Sequence, residues 1–384
     1  MVKTITPASV GDFEGAPWLR ASRAAAAERL GALAMPSAEE EIWRYSRIAE
    51  LDLDRFTVAA PLAASVERGP AELVVEADSD GGPAGTVDLF TELNAALATR
   101  QVIRVGAGRA VAEPLVLVHR VAAGSGASPS IVASDLLIEA GAEAEITVVE
   151  RFVGGGGGLV LPVTKLVAHP SARVRYIAVN ELDRSTWFVG HQVAEADRDA
   201  TVSLATVAFG GDYARVRTEC RLVGQGAHAE QIGLSFGEGN QMHDLRVVQD
   251  HLAPRTTANL LFKGAVQDSS RSVYTGLIHI GKDAKGSNAF QTNRNLKLSD
   301  DAWADSVPNL DIENNDVRCS HASTVGPIDD EQRFYLESRG VPPVVAERLI
   351  VLGFFDEVLA KLADQSLVTA LHDEVGAKLD RRRP

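Results

Sequence analysis

Cys319 and His321 are the residues whose types and spacing point most clearly to metal chemistry. In an extended strand, residues two apart project to the same face, so this thiol and this imidazole would lie side by side. They would offer a metal a soft sulfur ligand and a borderline nitrogen ligand, and a protonated imidazole would lower the pKa of the thiol. Two ligands make half a site, so the others would come from sulfide or from another subunit. The alternative is a buried cysteine beside a hydrogen-bonded histidine.

Two other segments contain residues that could bind a ligand. Residues 276–283 match the spacing of a phosphate-binding loop, but Asp283 stands where a Ser or Thr hydroxyl would coordinate magnesium. We therefore expect a strand that ends in a Gly-Lys-Asp turn, and no nucleotide bound by this chain. His243 and His251 could approach each other as metal ligands across adjacent coils. The favoured interpretation of both is a histidine whose hydrogen bonds are satisfied in the core.

Charge and cysteine content exclude several classes of protein. The 384 residues include 38 Lys and Arg against 52 Asp and Glu, and the net charge of -14 repels nucleic-acid phosphates and anionic membranes. Two cysteines cannot form a disulfide framework, and they are too few to hold an iron–sulfur cluster alone. No apolar stretch reaches membrane-spanning length, and residues 1–17 lack the apolar core of a signal peptide. We expect a cytoplasmic protein without nucleic-acid or membrane partners.

The centre of the chain has the pattern of a β-solenoid. Aromatic residues make up only 5% of the chain, so Val, Leu, Ile and Ala must fill the core. From about Ala71 to Val325, short strands alternate with turns, and no helix-length amphipathic segment interrupts them. A turn followed by alternating small or apolar residues recurs at Ala142, Ala172, Ala200 and Ala227. Stacked coils of two or three short strands produce such intervals, with a β-sandwich as the alternative.

Helices are predicted at both ends of the chain. The first covers residues 16–33, and the capping-box pattern of Ser37 and Glu40 predicts a second that carries Trp43. Beyond Val325, three helical segments are predicted: 329–340, from Pro342 onwards, and 365–379. The chain therefore divides into an N-terminal helical region (1–65), a β-helix core (66–325) and a C-terminal helical domain (326–384).

Several motifs of the last quarter of the chain are typical of one family. They read Asn288-Ala289-Phe290-Gln291-Thr292-Asn293, Pro308-Asn309-Leu310-Asp311-Ile312, Asp316-Val317-Arg318-Cys319-Ser320-His321 and Phe334-Tyr335-Leu336-Glu337-Ser338-Arg339-Gly340. Together with Glu41-Ile42-Trp43-Arg44-Tyr45-Ser46, they resemble the signature of the SufB/SufD family of iron–sulfur cluster assembly proteins. The Cys-Ser-His form, the modest length and the lack of additional N-terminal cysteines are most similar to SufD. Ala322-Ser323 departs mildly from the usual Gly-Ala.

The resemblance implies a mainly β fold, a right-handed parallel β-helix flanked by N-terminal and C-terminal α-helical regions. It implies a non-catalytic scaffold that pairs with SufB through the β-helix and shares a transient iron–sulfur cluster with it. His321 would contribute to that cluster at the subunit interface, with Cys319 as its companion. The ATPase SufC would bind the C-terminal helical domain and hydrolyse ATP. The residues expected at this docking site are Phe334, Tyr335, Arg339 and Gly340.

Two alternatives remain open from the sequence. One is a SufB-like scaffold that works as a homodimer, which the chain could also form when SufB is missing. The other is an enzyme that acts on polysaccharide, because many parallel β-helices do.

Overall fold

Two long β-sheets that face each other form the body of the protein. The computed structural model describes residues 5–11, 13, 15–59, 61–76, 87–122 and 129–381. Strands that follow one another in the chain alternate between the sheets, so the chain winds as a solenoid with one strand of each sheet in a coil. The predicted parallel β-solenoid with helices at both ends is therefore confirmed.

In the part of the chain that the structure describes, sheet A has ten strands, sheet B has nine, and six α-helices accompany them. Sheet A contains β1 Thr57–Val58, β3 Val74–Glu76, β4 Arg100–Val105, β6 Ser130–Ala140, β8 Leu159–Ala168, β10 Trp187–Ala196, β12 Tyr213–Leu222, β14 Met242–His251, β16 Arg271–Ile280 and β18 Trp303–Ile312. Sheet B contains β2 Ser65–Arg68, β5 Leu115–Val121, β7 Glu145–Gly154, β9 Arg173–Leu182, β11 Thr201–Ala208, β13 His228–Gly237, β15 Thr257–Val266, β17 Asn288–Lys297 and β19 Arg318–Gly326. The helices are α1 Pro7–Gly11, α2 Pro17–Leu30, α3 Leu89–Leu97, α4 Asp330–Ser338, α5 Pro343–Leu359 and α6 Gln365–Asp380.

The coils stack in register, which explains the repeat seen in the sequence. One buried alanine precedes the sheet B strand in each of four coils: Ala144, Ala172, Ala200 and Ala227. The sequence repeat was predicted to start at Ala142. That start is wrong by two residues, because Glu145 pairs with Arg173 and so places Ala144 opposite Ala172. The coils also hold two strands of about ten residues rather than two or three short ones.

A column of left-handed turn residues links the coils. The residues immediately before the four alanines have positive φ: Glu143 (61°), Ser171 (61°), Asp199 (57°) and Gly226 (76°). The amide N–H of each donates a hydrogen bond to a carbonyl of the next coil, for example Ser171 to Arg198. For residues other than glycine this backbone conformation costs about 1–2 kcal/mol. The hydrogen bond between coils, which fits only this turn, offsets that cost.

Small aliphatic side chains fill most of the interior, called here the lumen. One column on sheet B consists of Ile146, Val174, Val202, Ala229, Ala258 and Ala289. Polar residues also occur in the lumen, and most of them bond to one another. Glu150 accepts hydrogen bonds from His119 at 2.7 Å and Thr164 at 3.0 Å, and Gln231 donates to Gln249 at 3.0 Å. Pairing of this kind lowers the cost of burying polar groups.

The outer faces of both sheets are covered by the terminal regions. Helices α2 and α3 and the buried Trp43 pack on sheet A. Helices α5 and α6 pack on sheet B through Val351, Phe355 and Val375. The buried Lys378 fastens α6 by donating to the carbonyl of Phe209 and to Glu238 at 3.0 Å. The N-terminal and C-terminal regions therefore lie on opposite sides of the solenoid.

Two local predictions are wrong. Helix α3 interrupts the stretch that was expected to lack helices, and it begins with a capping box formed by Asp88 and Thr91. The helix predicted to carry Trp43 is only a single 3-10 turn, Glu41–Trp43. The carbonyl of Ile42 in this turn and that of Arg44 just after it accept hydrogen bonds from Arg215 and Arg246 of sheet A, so tertiary contacts replace helix propagation.

Replacing Gly224 with alanine tests how tightly neighbouring coils pack against each other. A Cβ built on this residue would overlap the backbone of Asp197 and Arg198 in the preceding coil. Because both neighbours are backbone, we expect Gly224→Ala to lower the free energy of unfolding by about 1–3 kcal/mol. Thermal or urea unfolding measures this change.

Gly106→Ala is the matched control, because a Cβ there meets no atom within 4 Å. We expect it to leave stability unchanged within about 0.5 kcal/mol. Equal losses in the two variants would contradict the tight stacking.

Candidate functional site at the open end of the solenoid

The last coil leaves one end of the solenoid open. Among the described residues, β18 pairs only with β16 and β19 only with β17. Most residues of both strands are partly or fully exposed, whereas those of β16 are mostly buried. Unpaired strand edges of this length are sites at which another chain adds a strand.

The backbone of these edges is oriented by the pairing on their inner side. The N–H of Trp303 donates to the carbonyl of Ser270, and the N–H of Arg318 donates to the carbonyl of Ser287, so the backbone groups of these residues point towards the preceding coil. Backbone direction alternates along a strand, so residues an odd number of positions further along point their N–H and C=O groups towards the free edge. Pro308 belongs to the outward set of β18 and offers no donor there. On β19, the outward set includes Cys319 and His321.

The side chains of Cys319 and His321 both lie on the lumen face of β19. Cys319 pairs with Ala289 and His321 with Gln291, and both of these residues of β17 are buried in the lumen. Successive lumen-facing residues of a strand are roughly 6.6 Å apart. The same-face arrangement predicted from their spacing is therefore present. His321 is exposed, whereas Cys319 is half-buried against the aliphatic core.

Burial changes the chemistry expected of Cys319. The sequence suggested that a neighbouring imidazolium would lower the pKa of this thiol. The structure gives the opposite direction, because desolvation raises the pKa of Cys319 above its ordinary value. The cause is the aliphatic column that ends beneath it at Ala289. At neutral pH the group is a protonated thiol, and only a bound metal would favour its deprotonation.

The floor of the site contains polar groups without partners. Neither the amide nitrogen nor the amide oxygen of Gln291 has a hydrogen bond, and neither does the hydroxyl of Tyr274. Gly276 lies between them, and a Cβ at this position would crowd both groups. Ser306 and Ser323 meet across the two sheets at 2.7 Å. The open end therefore combines sulfur, nitrogen and neutral hydrogen-bonding groups, a set that suits iron and sulfide.

Sequence reasoning did not assign these floor residues to the site. Gln291 was quoted as part of a motif, and Tyr274, Ser306 and Ser323 were given no role. A signal was available for Gln291, because it lies one coil before His321 and must stack on it. The contact between Ser306 and Ser323 joins different sheets, and the periodicity of one strand carries no information about it.

Cys319 and His321 are the candidate metal ligands at this site. In the described ranges, no three His, Cys, Asp or Glu side chains are close enough to hold a metal ion. His243 contacts the carbonyl of Gly210, and His251 contacts the hydroxyl of Thr256. Burial lowers the pKa of His243 to about 3 and that of His251 to about 4. Both are core histidines with one hydrogen-bonded nitrogen, as the favoured interpretation predicts, but His243 Nδ1 and His251 Nε2 are buried without a partner, so full satisfaction is not observed.

The segment that matched a phosphate-loop spacing is part of β16. Gly276 lies in the middle of that strand, and a turn follows at Lys282 and Asp283. The prediction of a strand ending in a turn is confirmed.

The predicted docking residues lie on α4 and the turn that follows it. No residue of α4 is buried, and Phe334 and Tyr335 are 72% and 59% exposed. The guanidinium of Arg339 lies 5.4 Å from the ring centroid of Tyr335. Gly340 ends the helix with a φ of 86°. These four residues thus lie together on α4 and the turn that follows it.

Comparison with known proteins identifies the family. The model of the SufBD core domain of the SUF system for FeS cluster assembly matches residues 119–354. An iron–sulfur cluster assembly SufBD family protein of Mycobacterium tuberculosis (strain ATCC 25618 / H37Rv) is 33% identical over 355 residues, which cover 86% of each chain. The chain belongs to the SufBD family. This SufBD protein is also similar to SufD of Escherichia coli (strain K12), with 29% identity over 83% of this chain and 76% of that one.

SufD of Bacillus subtilis (strain 168) is 29% identical over 59% of this SufBD chain and 53% of its own. The matched core domain begins on β5 and ends in α5, so it includes the last coil with its Cys and His. No helix in the described part of this SufBD protein is long and apolar enough to cross a membrane.

The raised pKa of Cys319 predicts slow alkylation. We expect iodoacetamide to modify Cys319 in the folded protein with a pH midpoint above that of a free cysteine, because the thiolate is the reactive form. Mass spectrometry of tryptic peptides measures the rate at each pH.

Cys220 is the internal control. Burial, and to a smaller extent the negative charge of Asp250, raises the pKa of Cys220 to about 12. At pH 8, roughly one molecule in ten thousand therefore carries the thiolate at this position. It should react only after unfolding. A midpoint for Cys319 below that of free cysteine would instead support activation by His321.

Proposed function

We propose that this SufBD-family chain is a SufD-type scaffold subunit that helps to assemble a nascent iron–sulfur cluster with a SufB-type partner. The supporting observation is the pair Cys319 and His321 on the lumen face of an unpaired edge strand. Two ligands cannot hold a cluster, which usually takes four. The cluster would therefore be cargo held between two chains, with the remaining ligands supplied by sulfide and by the partner.

The free edges support the same partnership. Strands β18 and β19 end the two sheets side by side, so another chain can extend both sheets at once. Such an addition would bury the exposed faces of the last coil and close the lumen over His321. The SufD names of the relatives from E. coli and B. subtilis favour the SufD type. A cytoplasmic location fits the thiol chemistry, because a reducing compartment keeps Cys319 free.

The chain itself would hold and orient rather than catalyse. The imidazole of His321 would offer nitrogen to iron, while the amide of Gln291 and the hydroxyl of Tyr274 would donate hydrogen bonds towards sulfide. Hydrogen bonds to cluster sulfurs are one of the ways in which proteins tune such groups. In this proposal, ATP hydrolysis belongs to the ATPase SufC.

The same edges also permit a second candidate, a homodimer of the SufB-like kind. Two copies could join their last coils about a twofold axis, which is the commonest symmetry of soluble oligomers. Sedimentation of the chain with and without the SufB-type partner distinguishes the two assemblies.

His321→Ala tests the proposed cluster site. We expect the complex with the SufB-type partner to form normally, because the proposed interface is held by backbone hydrogen bonds between strands and this substitution changes only a side chain. The affinity for iron should fall at least about tenfold, since even loss of an outer-shell group often costs that much. Iron and acid-labile sulfide are measured in the anaerobically purified complex.

Ser320→Ala is the matched control, because this residue lies on the same strand and faces the opposite side. It should retain iron and sulfide at the level of the unmodified chain. Unchanged cluster content in His321→Ala would remove the proposed role of this residue.

The exposed face of the C-terminal helices is the proposed docking surface for SufC. Phe334 and Tyr335 on α4, and Val344 on α5, expose large apolar areas although α5 is anchored to the solenoid through its other face. Exposed apolar clusters of this kind mark protein interfaces. Arg339 stacks on Tyr335, and Gly340 permits the turn that separates α4 from α5.

Phe334→Ala tests this surface. We expect the dissociation constant for the SufC-type ATPase to rise about 30-fold, the effect of removing an interface anchor worth about 2 kcal/mol. Isothermal titration calorimetry measures the affinity. Leu33→Ala, which truncates an exposed apolar residue of the N-terminal region, should have no effect. An equal affinity of all three proteins would exclude α4 from the docking surface.

A further inference from the structure

Tyr45 is an exposed aromatic residue in a strained backbone conformation. Its φ is 64°, in the region that glycine favours, and its side chain is 46% exposed. A bulky residue pays about 1–2 kcal/mol for this conformation. Its ring lies 6.1 Å from that of Trp303, which is itself 38% exposed. Strain and exposed aromatic surface both lower stability, so their combination calls for a reason outside the folding of this chain.

The strained conformation is enforced by a buried ionic network. Trp43 is fully buried, and the guanidinium of Arg215 lies 3.8 Å from its ring centroid. Asp244 holds Arg215 and Arg246 at 2.6 Å each. These two arginines donate to the backbone carbonyls on either side of Trp43. With the chain fixed immediately before it, Tyr45 has no freedom to turn inwards.

The aromatic pair lies at the free edge of sheet A. Trp303 is the first residue of β18, which has no strand on its outer side among the described residues. Its side chain faces the outside of the solenoid. Side chains alternate between the two faces of a strand, and Ser306, three residues further along, faces the lumen. A cavity of about 420 Å³ opens beside the two rings and is lined by Ala38, Tyr45, Ser46, Arg271, Asp301 and Trp303.

We infer that Tyr45 and Trp303 are the anchor of an interface with a β-strand that another chain adds to β18. We infer a β-strand rather than another kind of partner because the free backbone edge of β18 lies beside the cavity. A residue of an added strand opposite Trp303 would lie about 4.8 Å further along the sheet, within reach of both rings. An apolar side chain at that place would fill the cavity, with Arg271 and Asp301 at its polar margin.

This inference identifies the strand as that of the SufB-type partner, and in that respect it rests on the proposed function. Tyr and Trp are the residues that most often dominate the binding energy of protein interfaces. The rigid support from Trp43 and Arg215 would fix the ring of Tyr45 before binding, so that little entropy is lost on association. The proposed anchor, Tyr45 and Trp303, lies on the outer face of sheet A at its free edge. His321, in contrast, lies on the lumen face of sheet B, so the two features are distinct.

The test measures binding of the SufB-type chain of the same organism to the unmodified protein and to Tyr45→Gly and Trp303→Ala. We expect each variant to raise the dissociation constant about 30-fold, as loss of an anchor does. Tyr45→Gly also removes the backbone strain, so its thermal midpoint should not fall. This separates loss of the ring from loss of the fold. Val223→Ala is the control and should bind normally, because it truncates an exposed apolar residue after β12, three strands in from the edge strand β18.

Each outcome decides between the possibilities. Weaker binding by both variants, with normal binding by Val223→Ala, supports the anchor. Normal binding by both variants overturns the anchor and leaves the proposed partnership intact. If the unmodified protein does not bind the SufB-type chain, the proposed partnership fails and the anchor fails with it.

Discussion

Each coil of the solenoid satisfies its backbone and buries its lumen only against the next coil. The hydrogen bonds from the left-handed turn residues and the parallel ladders both run along this direction. The stack therefore has two ends at which the constraint must be met in some other way. At the N-terminal end, β2 and β3 fold back as antiparallel strands beside the first coils. At the other end, no strand of the described residues covers β18 and β19 in this way.

The surface proposed to be functional follows from this asymmetry. The last coil leaves its backbone edge, its lumen floor and its outer aromatic pair unsatisfied in the same place. His321 is exposed because the described residues contain no further coil to cover it, and Gln291, buried one coil beneath it, has no hydrogen-bond partner. A second chain that supplied that coil would complete all three features at once. Helices α2, α3, α5 and α6, by contrast, cover the two sheets, whereas α4 and the outer face of α5 remain exposed.

Periodicity made much of this predictable. The repeated alanines, the low aromatic content and the Cys-x-His spacing depend on local rules, and they predicted the solenoid and the shared face of Cys319 and His321. The failures depend on contacts between distant residues. Trp43 was assigned to a helix because its capping pattern is local, whereas the arginines that hold its carbonyls come from sheet A. The pKa of Cys319 was placed in the wrong direction because burial against the core, next to Ala289 on the neighbouring strand, sets the solvation of the thiol, and local spacing carries no information about that burial.

The column of left-handed turns also limits how the length of this protein can change in evolution. Removing one complete coil would join two equivalent turns and move the open end by about 4.8 Å along the axis, with every side chain still on its own face. Removing a single residue within a strand would exchange the lumen and outer faces of everything beyond it in that strand. Relatives of different length are therefore expected to differ by whole coils or by loops at the turns, and not by residues within the strands.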